Sequence, residues 1–479
     1  RTLSSFINTG LNNPSSLVAG KYFELTTDLD FTNEPKFAPI GNSYARYFSG
    51  KFNGNGHIIK NIKILEGNSN CVGIFGFVNI ANWNLPFPSI ENLGVVGAQV
   101  NGKQCVGAIA GQVEGCAYIK DCYVTNSDIK GLSAKYQAAS VGALVGKYND
   151  CYAGTVSYCY SQGNTVQGSN WLGGIIGDNH IRIENCYSTS EIKQAAVDKY
   201  NRQIGPITGT QGSSQHASVI NCYYLEGWST NGYTTNNENG IACYGISQTE
   251  DELKSTVQEL LIGSGTDFSL DVFNVNKGYP ILKGEQIDSV KLGGTDGITG
   301  VVNIPASYNG PMPQEVVIDD GGQLINNTTK SINAIIRNKM KVGAWNLFGS
   351  EVINNIVGVL NSNYGLDNTT NEATTHIHDM VSAAFNYTTN NWNTGSGYLY
   401  YTDSLKEGDG IFVWPLTTGI GDNVNTTYNE NYCIVEQRGT LFDENEIAIN
   451  LPDNTGNPNG TNIQAKWAAL SNPYSASVK

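Results

Sequence analysis

The chain has 479 residues, beyond the size at which one core normally stops growing, so two or more domains are expected. It is turn-rich and lightly charged, with 55 Gly, 26 Tyr, 3 Met and 15% charged residues. The formal charge of −14 argues against nucleic acid and anionic membrane surfaces as partners, both of which want basic patches. No apolar run approaches the roughly 18 residues that span a bilayer, so no transmembrane segment is expected. The first residue is Arg1 rather than Met, which fits an export signal or lipid anchor removed upstream.

The first elements are short. Leu3, Phe6 and Ile7 are apolar positions suited to covering an open end. Lys21 to Phe31 alternates enough for a first strand pair, and Pro35 and Pro39 punctuate the loop behind it. Asp28 and Asp30 could be a calcium or acid–base pair, but carboxylates beside a strand and turn are the plainer reading.

From Phe48 to Tyr224 one phrase recurs. Its first half is a small-residue segment led by Gly73, Gly107, Gly142, Gly173 and Gly205, spaced 34, 35, 31 and 32 residues apart. Its second half is a strand-like piece, as in Ile119-Lys-Asp-Cys-Tyr123, Ile183-Glu-Asn-Cys-Tyr187 and Val219-Ile-Asn-Cys-Tyr223. Self-similarity at such a period means stacked repeats. The segments are rich in Val, Ile and Tyr, are bounded by Gly, Asn, Ser and Asp, and lack helical spacing. The expected fold is therefore all-β: a parallel β-helix (β-solenoid). Its strands would stack at about 4.8 Å, with equivalent residues in ladders and glycines where turns pass closely.

The run Phe48-Ser-Gly-Lys-Phe-Asn-Gly-Asn-Gly-His-Ile-Ile-Lys-Asn-Ile62, with Gly73-Ile-Phe-Gly76 and Ile90-Glu-Asn-Leu-Gly94, resembles the opening of a GLUG-motif repeat protein. The later glycine and Asn-Cys-Tyr phrases are similar to the same family, as is Phe273-Asn-Val-Asn-Lys-Gly-Tyr-Pro-Ile-Leu282. The resemblance spans roughly residues 20–284. It implies a secreted or surface-exposed, adhesin-like bacterial protein of the Bacteroidetes type, with the coil right-handed by analogy. It says little about function, because such repeats stand beside quite different domains.

Cysteines follow the repeat. Cys122, Cys159, Cys186 and Cys222 are expected to stack as a buried, unpaired ladder, since free Cys packs like a small hydrophobe. The sharper alternative is a disulfide between Cys71 and Cys105, which precede equivalent glycines in successive repeats and so fall within bonding separation. No C-x-x-C pair exists, so a zinc or iron–sulfur site lacks its spacing.

Thr249-Glu-Asp-Glu252 is a capping box opening a short helix over about 249–262, with Leu253, Val257, Leu260 and Leu261 on one face. The stack with its caps thus covers 1–284. A Gly-rich join at 285–300 follows, and 301–479 reads as a β-sandwich-like domain of turn-separated strands such as Glu315–Asp319, Tyr398–Tyr401, Gly410–Trp414 and Tyr432–Glu436. Gly343–Ser350 and Ala465–Tyr474 resemble each other and the strands of C-terminal modules in secreted Bacteroidetes proteins.

For catalysis the residues are poor. His376-x-His378 could place two imidazoles on one face of a strand, but no third ligand or H-E-x-x-H accompanies them. There is no G-x-S-x-G elbow and no phosphate-cradling loop. No catalytic residue, metal or cofactor is assigned. Trp83 in the Asn82–Pro88 insertion, Trp171 and Trp228 are candidate exposed contacts for a glycan or extracellular protein, with core or cap packing as the alternative. The expectation is a non-catalytic, monomeric, extracellular or cell-surface binding protein. A spacer that displays another module is the main alternative, and a β-helix polysaccharide-cleaving enzyme the lesser one.

Overall fold

The computed structural model describes residues 2–10, 13–132, 139–194, 203–212, 215–229, 244–255 and 267–285, and beyond them 287–290, 301–306, 308–318, 323–326, 328–341, 346–349, 380–386, 391–392, 410–415 and 432–440. The described chain divides into two compact units. One comprises 1–271, 276–286 and 309–311; the other comprises 272–275, 287–308 and 312–479.

The first unit is a parallel β-helix. One coil shows the plan: Ser89–Glu91, Gly94–Val96, Gln99–Gly102, Cys105–Val106 and Ala110–Glu114 run in turn through five sheets, and Tyr118–Lys120 restarts the first. Sheets 1 to 5, in that order, contain seven, eight, five, five and five strands, and every strand pairing in them is parallel. Register is strict. Phe52, Ile90, Ile119, Val156, Ile183 and Val219 occupy one rung position of sheet 1, and all but Val219 are buried. Val, Ile, Leu and Ala from the five sheets fill the interior continuously along the coils. Each coil by itself could not cover that face, so stability comes from stacking.

The repeated phrase has two physical causes. The Asn of Asn-Cys-Tyr turns the chain between sheets 1 and 2. Asn92, Asp121, Tyr158, Asn185 and Asn221 all have φ between 49° and 53°, a left-handed conformation that Asn tolerates better than most residues. The Cys that follows points inward and donates its S–H to the carbonyl two residues back, at 3.1–3.2 Å, in Cys122, Cys159, Cys186 and Cys222. All four are buried and unpaired, as the sequence suggests. The leading glycines answer to crowding instead. A Cβ on Gly107 would lie 2.5 Å from the Ala110 carbonyl oxygen and 2.6 Å from that of Leu144, because the backbone of the next coil passes there.

A helix covers the first end of the ladder, and a second helix packs beside sheet 2. Helix Thr2–Thr9 buries Ile7 and packs Leu3 on the core, while Phe6 stays exposed. Ser4 Oγ donates to the Ala38 and Pro39 carbonyls, which ties this helix to the first coil. Thr249 caps helix Glu250–Lys254 with the expected reciprocal box, and Leu253 is fully buried. The remainder of the expected helix, with Val257, Leu260 and Leu261, lies outside the described residues.

Phe268–Ser269 and Ile281–Leu282 pair antiparallel and lie over the outer face of sheet 2. There Tyr123, Tyr160 and Tyr187 stack with centroids 4.9 and 5.1 Å apart and planes within 4°. Phe268, Tyr279, Leu282 and Leu253 close over them as a second core.

The second unit is also built of strands, but its first pairings are parallel. Ile287–Val290, Pro313–Ile318 and Asn333–Lys341 form three parallel neighbours, and Val301–Ile304 pairs parallel with Gln323–Asn326. Antiparallel pairing begins with Tyr432–Thr440 on Asn333–Lys341 and continues in the sheet of Asn346–Gly349, Gly410–Pro415, Met380–Asn386 and Asn391–Trp392. The sequence alternation that suggested a sandwich fixes which side chains are inward. It does not fix the direction of the neighbouring strand. His376, His378 and Ala465–Tyr474 lie outside the described residues.

Candidate functional site

The three tryptophans separate. Trp83 is 62% exposed, in the loop that joins sheet 5 to sheet 1. Its ring meets Phe87 edge-on at 6.1 Å and 89°, and Phe87 leans on Tyr118 at 6.1 Å and 45°. Leu85 on the same loop is exposed too. Asn82 accepts from the Asn84 backbone N–H at 2.9 Å and from the Leu85 N–H through its carbonyl at 3.1 Å, so the loop carries local turns that present the aromatic residues.

Trp171 stands half-buried on the outside of sheet 4, where its indole N–H donates to the Gln203 side chain one coil on. Trp228 departs from the expectation of an exposed contact: it is 4% exposed and belongs to the solenoid core. Gly227, at φ +71°, turns the chain after sheet 2, and the Trp228 carbonyl then accepts from the Ile192 N–H at 2.8 Å. That turn sends the ring inward.

Cys71 and Cys105 are register partners on sheet 4 and are both buried free thiols. The disulfide is instead Cys116–Cys151, in successive loops between sheets 5 and 1. Its separation of 35 residues equals the Gly107–Gly142 spacing, so the signal was present, although both cysteines lie outside the recurring phrase. Cys71 Sγ contacts Gln112 Oε1 at 3.3 Å, and Gln112 Nε2 reaches Glu114 and Tyr44. The neighbouring Cys71 thiol and burial push the Cys105 thiol up, while the contact with Cys105 holds the Cys71 thiol down.

Other polar clusters are held by ion pairs and hydrogen bonds. Asp28 binds the Ile58 N–H at 3.0 Å, Lys60 at 3.0 Å and His57 Nδ1 at 3.2 Å; burial opposes its ionisation, but these partners hold its carboxyl below the usual range. Asp30 accepts from Thr32 and Asn61. Lys120 bridges Asp267 at 2.7 Å and Asp121 at 2.9 Å, while burial raises Asp121 to about 7. Asp178 joins Lys147 and His180 on the outside of sheet 5. Among the described residues, no three His, Cys, Asp or Glu side chains converge as a metal would require, and no helix is long and apolar enough to cross a membrane.

A cleft of about 500 Å³ opens on sheet 3, bordered by Gln99, Asp128, Lys130, Thr165, Gln167 and Lys193. Sequence reasoning missed it, since its residues share no motif and meet only once the coils stack.

The arrangement defines a parallel β-solenoid with an exposed aromatic corner and a polar cleft. No family model matches the chain. Over 196 residues, 40% of its length, it is 29% identical to Halomucin of Haloquadratum walsbyi, and the match spans only 2% of that protein. Among solved structures it is similar to one from Bacteroides ovatus named as a putative immunoglobulin A1 protease, at 20% identity and a TM-score of 0.42, over 57% of this chain and 90% of that one. The proteolysis in that name is said of that protein alone.

Proposed function

We propose that the chain is a non-catalytic binding protein that acts outside the cell and engages a glycan through the aromatic corner of its solenoid. The observation that carries this is the Trp83–Phe87–Tyr118 cluster, in which a tryptophan held edge-on by a phenylalanine stays 62% exposed. Flat aromatic faces with restrained rotamers stack on the apolar faces of sugar rings at little entropic cost. Two features support an extracellular setting: the Cys116–Cys151 disulfide, which an oxidising compartment permits, and the resemblance to GLUG-type surface repeats. A protein ligand and a plain spacer are the competing readings.

The test is a glycan array with the whole chain and with Trp83→Ala. Selective binding, weakened at least tenfold by Trp83→Ala at unchanged melting temperature, is the expected result. Equal binding by the variant removes the aromatic corner from the proposal. A blank array moves the assignment to a protein ligand or spacer, and cleavage of an arrayed sugar ends the non-catalytic reading.

A further inference from the structure

The corner between sheets 2 and 3 is left-handed in four successive coils, at Asn61, Gly97, Asn126 and Gly163, with φ of 58°, 66°, 51° and 63°. Two of these four are glycines, so the corner has no side chain at alternate coils. Asn126 stands between the two gaps. This is why a cleft opens here and why it reaches the outward rows of sheet 3. Register sets those rows. One is Gln99, Asp128, Thr165, Glu191; the other is Lys130, Gln167, Lys193.

Two strand spacings separate Lys130 from Lys193, about 10 Å along the axis, with an amide between them. A third ammonium comes from the exit segment: Lys277 Nζ lies 3.9 Å from where a Cβ on Gly163 would be. Only one of the cleft-lining residues, Asp128, carries a carboxylate. Glu191 ends the row beyond Thr165, so three ammonium groups face two carboxylates, a small positive excess in a chain of charge −14. Lys130 contacts Asp128 and Lys193 contacts Glu191, but these side chains are 35–42% exposed. Ion pairs that exposed contribute only about 0–1 kcal/mol, so an arriving anion can displace them.

The lining holds amides, two hydroxyls, one carboxylate and ammonium groups, without a large apolar or aromatic side chain. Its ligand must therefore be recognised by hydrogen bonds and charge, not by stacking. We propose that this cleft binds an acidic oligosaccharide, a carboxylated sugar chain lying along the solenoid axis, with Lys130, Lys193 and Lys277 receiving carboxylates and Gln99, Thr165 and Gln167 receiving hydroxyls. It is a second site, on a different face from the aromatic corner.

The experiment is calorimetric titration of the whole chain with an oligogalacturonate of six units, and with the same oligomer after its carboxylates are reduced to alcohols. Binding of the charged oligomer that weakens with salt, and loss of at least tenfold affinity in K130Q/K193Q, are expected. Gly163→Asn, which keeps a residue tolerant of positive φ while filling the gap, is a second variant expected to lose tenfold. Its melting temperature and that of the double variant check that both are folded. Equal affinity for the reduced oligomer, unchanged affinity in both cleft variants, no binding at low salt, or equal binding of polyglutamate would each overturn the proposal.

Discussion

On sheet 2, Tyr123, Tyr160 and Tyr187 occupy one rung position and disappear beneath the exit segment; on sheet 1, Tyr22 and Tyr118 share an outward position and stay in water. The residue type is the same and so is the solenoid. The difference is what lies on top. Phe268, Tyr279 and Leu282 convert one outward face into core, while nothing in the described chain does so for the other. In a β-solenoid, then, facing outward is no guarantee of being surface. An aromatic residue left uncovered, as at Trp83 and Tyr118, has to be explained by binding or tolerated as a cost.

The largest expected break in this comparison is Tyr187→Ala. It removes a fully buried ring whose hydroxyl donates to the Pro280 carbonyl at 2.6 Å and accepts from Asn276 Nδ2 at 2.7 Å. A loss of about 3–5 kcal/mol is expected in denaturant unfolding. Next comes Glu285, a buried residue of the covering segment itself, whose Oε1 accepts from Tyr160 OH at 2.9 Å and from the Leu282 N–H at 2.7 Å. Burial pushes its carboxyl up to about 8, above the ordinary 4.5. The neutral form is thus the one the fold favours. Its contribution is complete below about pH 4.5 and is lost as pH rises through about 8, a change on the order of a few kcal/mol. Melting curves across that window should fall for wild type and flatten for Glu285→Gln.

Asn185 stands on the boundary between the two sheets at φ 52°. Asn185→Ala is expected to cost about 1–2 kcal/mol, with Asn185→Gly much closer to wild type, because only the former strains the left-handed turn. Tyr118→Ala should sharpen the comparison by doing almost nothing: an effect within about 0.5 kcal/mol on stability, set against weakened ligand binding. A large loss of stability there would mean that sheet 1 is covered after all.

Much of the coil was legible in the sequence. The glycine spacing, the inward cysteines and the Thr249 capping box are local signals, and each depends on residues close in the chain. Trp228 was not, because its direction follows from the turn at Gly227 rather than from any repeat position. The burial of the tyrosine ladder was hidden as well, since its cover, from Leu253 to Leu282, begins 66 positions beyond Tyr187. The cleft required register: Asp128, Thr165 and Lys193 are unremarkable until stacking aligns them. The parallel start of the second unit was equally hidden, because alternation carries no strand direction.

The disulfide at Cys116–Cys151 ties one coil to the next near the middle of the stack. A stack held only by neighbour contacts can fray from either end, one coil after another, as beads leave a string. With this staple in place, fraying from the first helix or from the exit segment meets a closed ring that cannot be unwound without breaking a covalent bond. Under a pull on both ends, the middle coils therefore stay together longest. The exposed corner carried by Trp83 and Tyr118 sits on the coils bordering that staple, so the proposed grip lies beside the part of the rope that yields last.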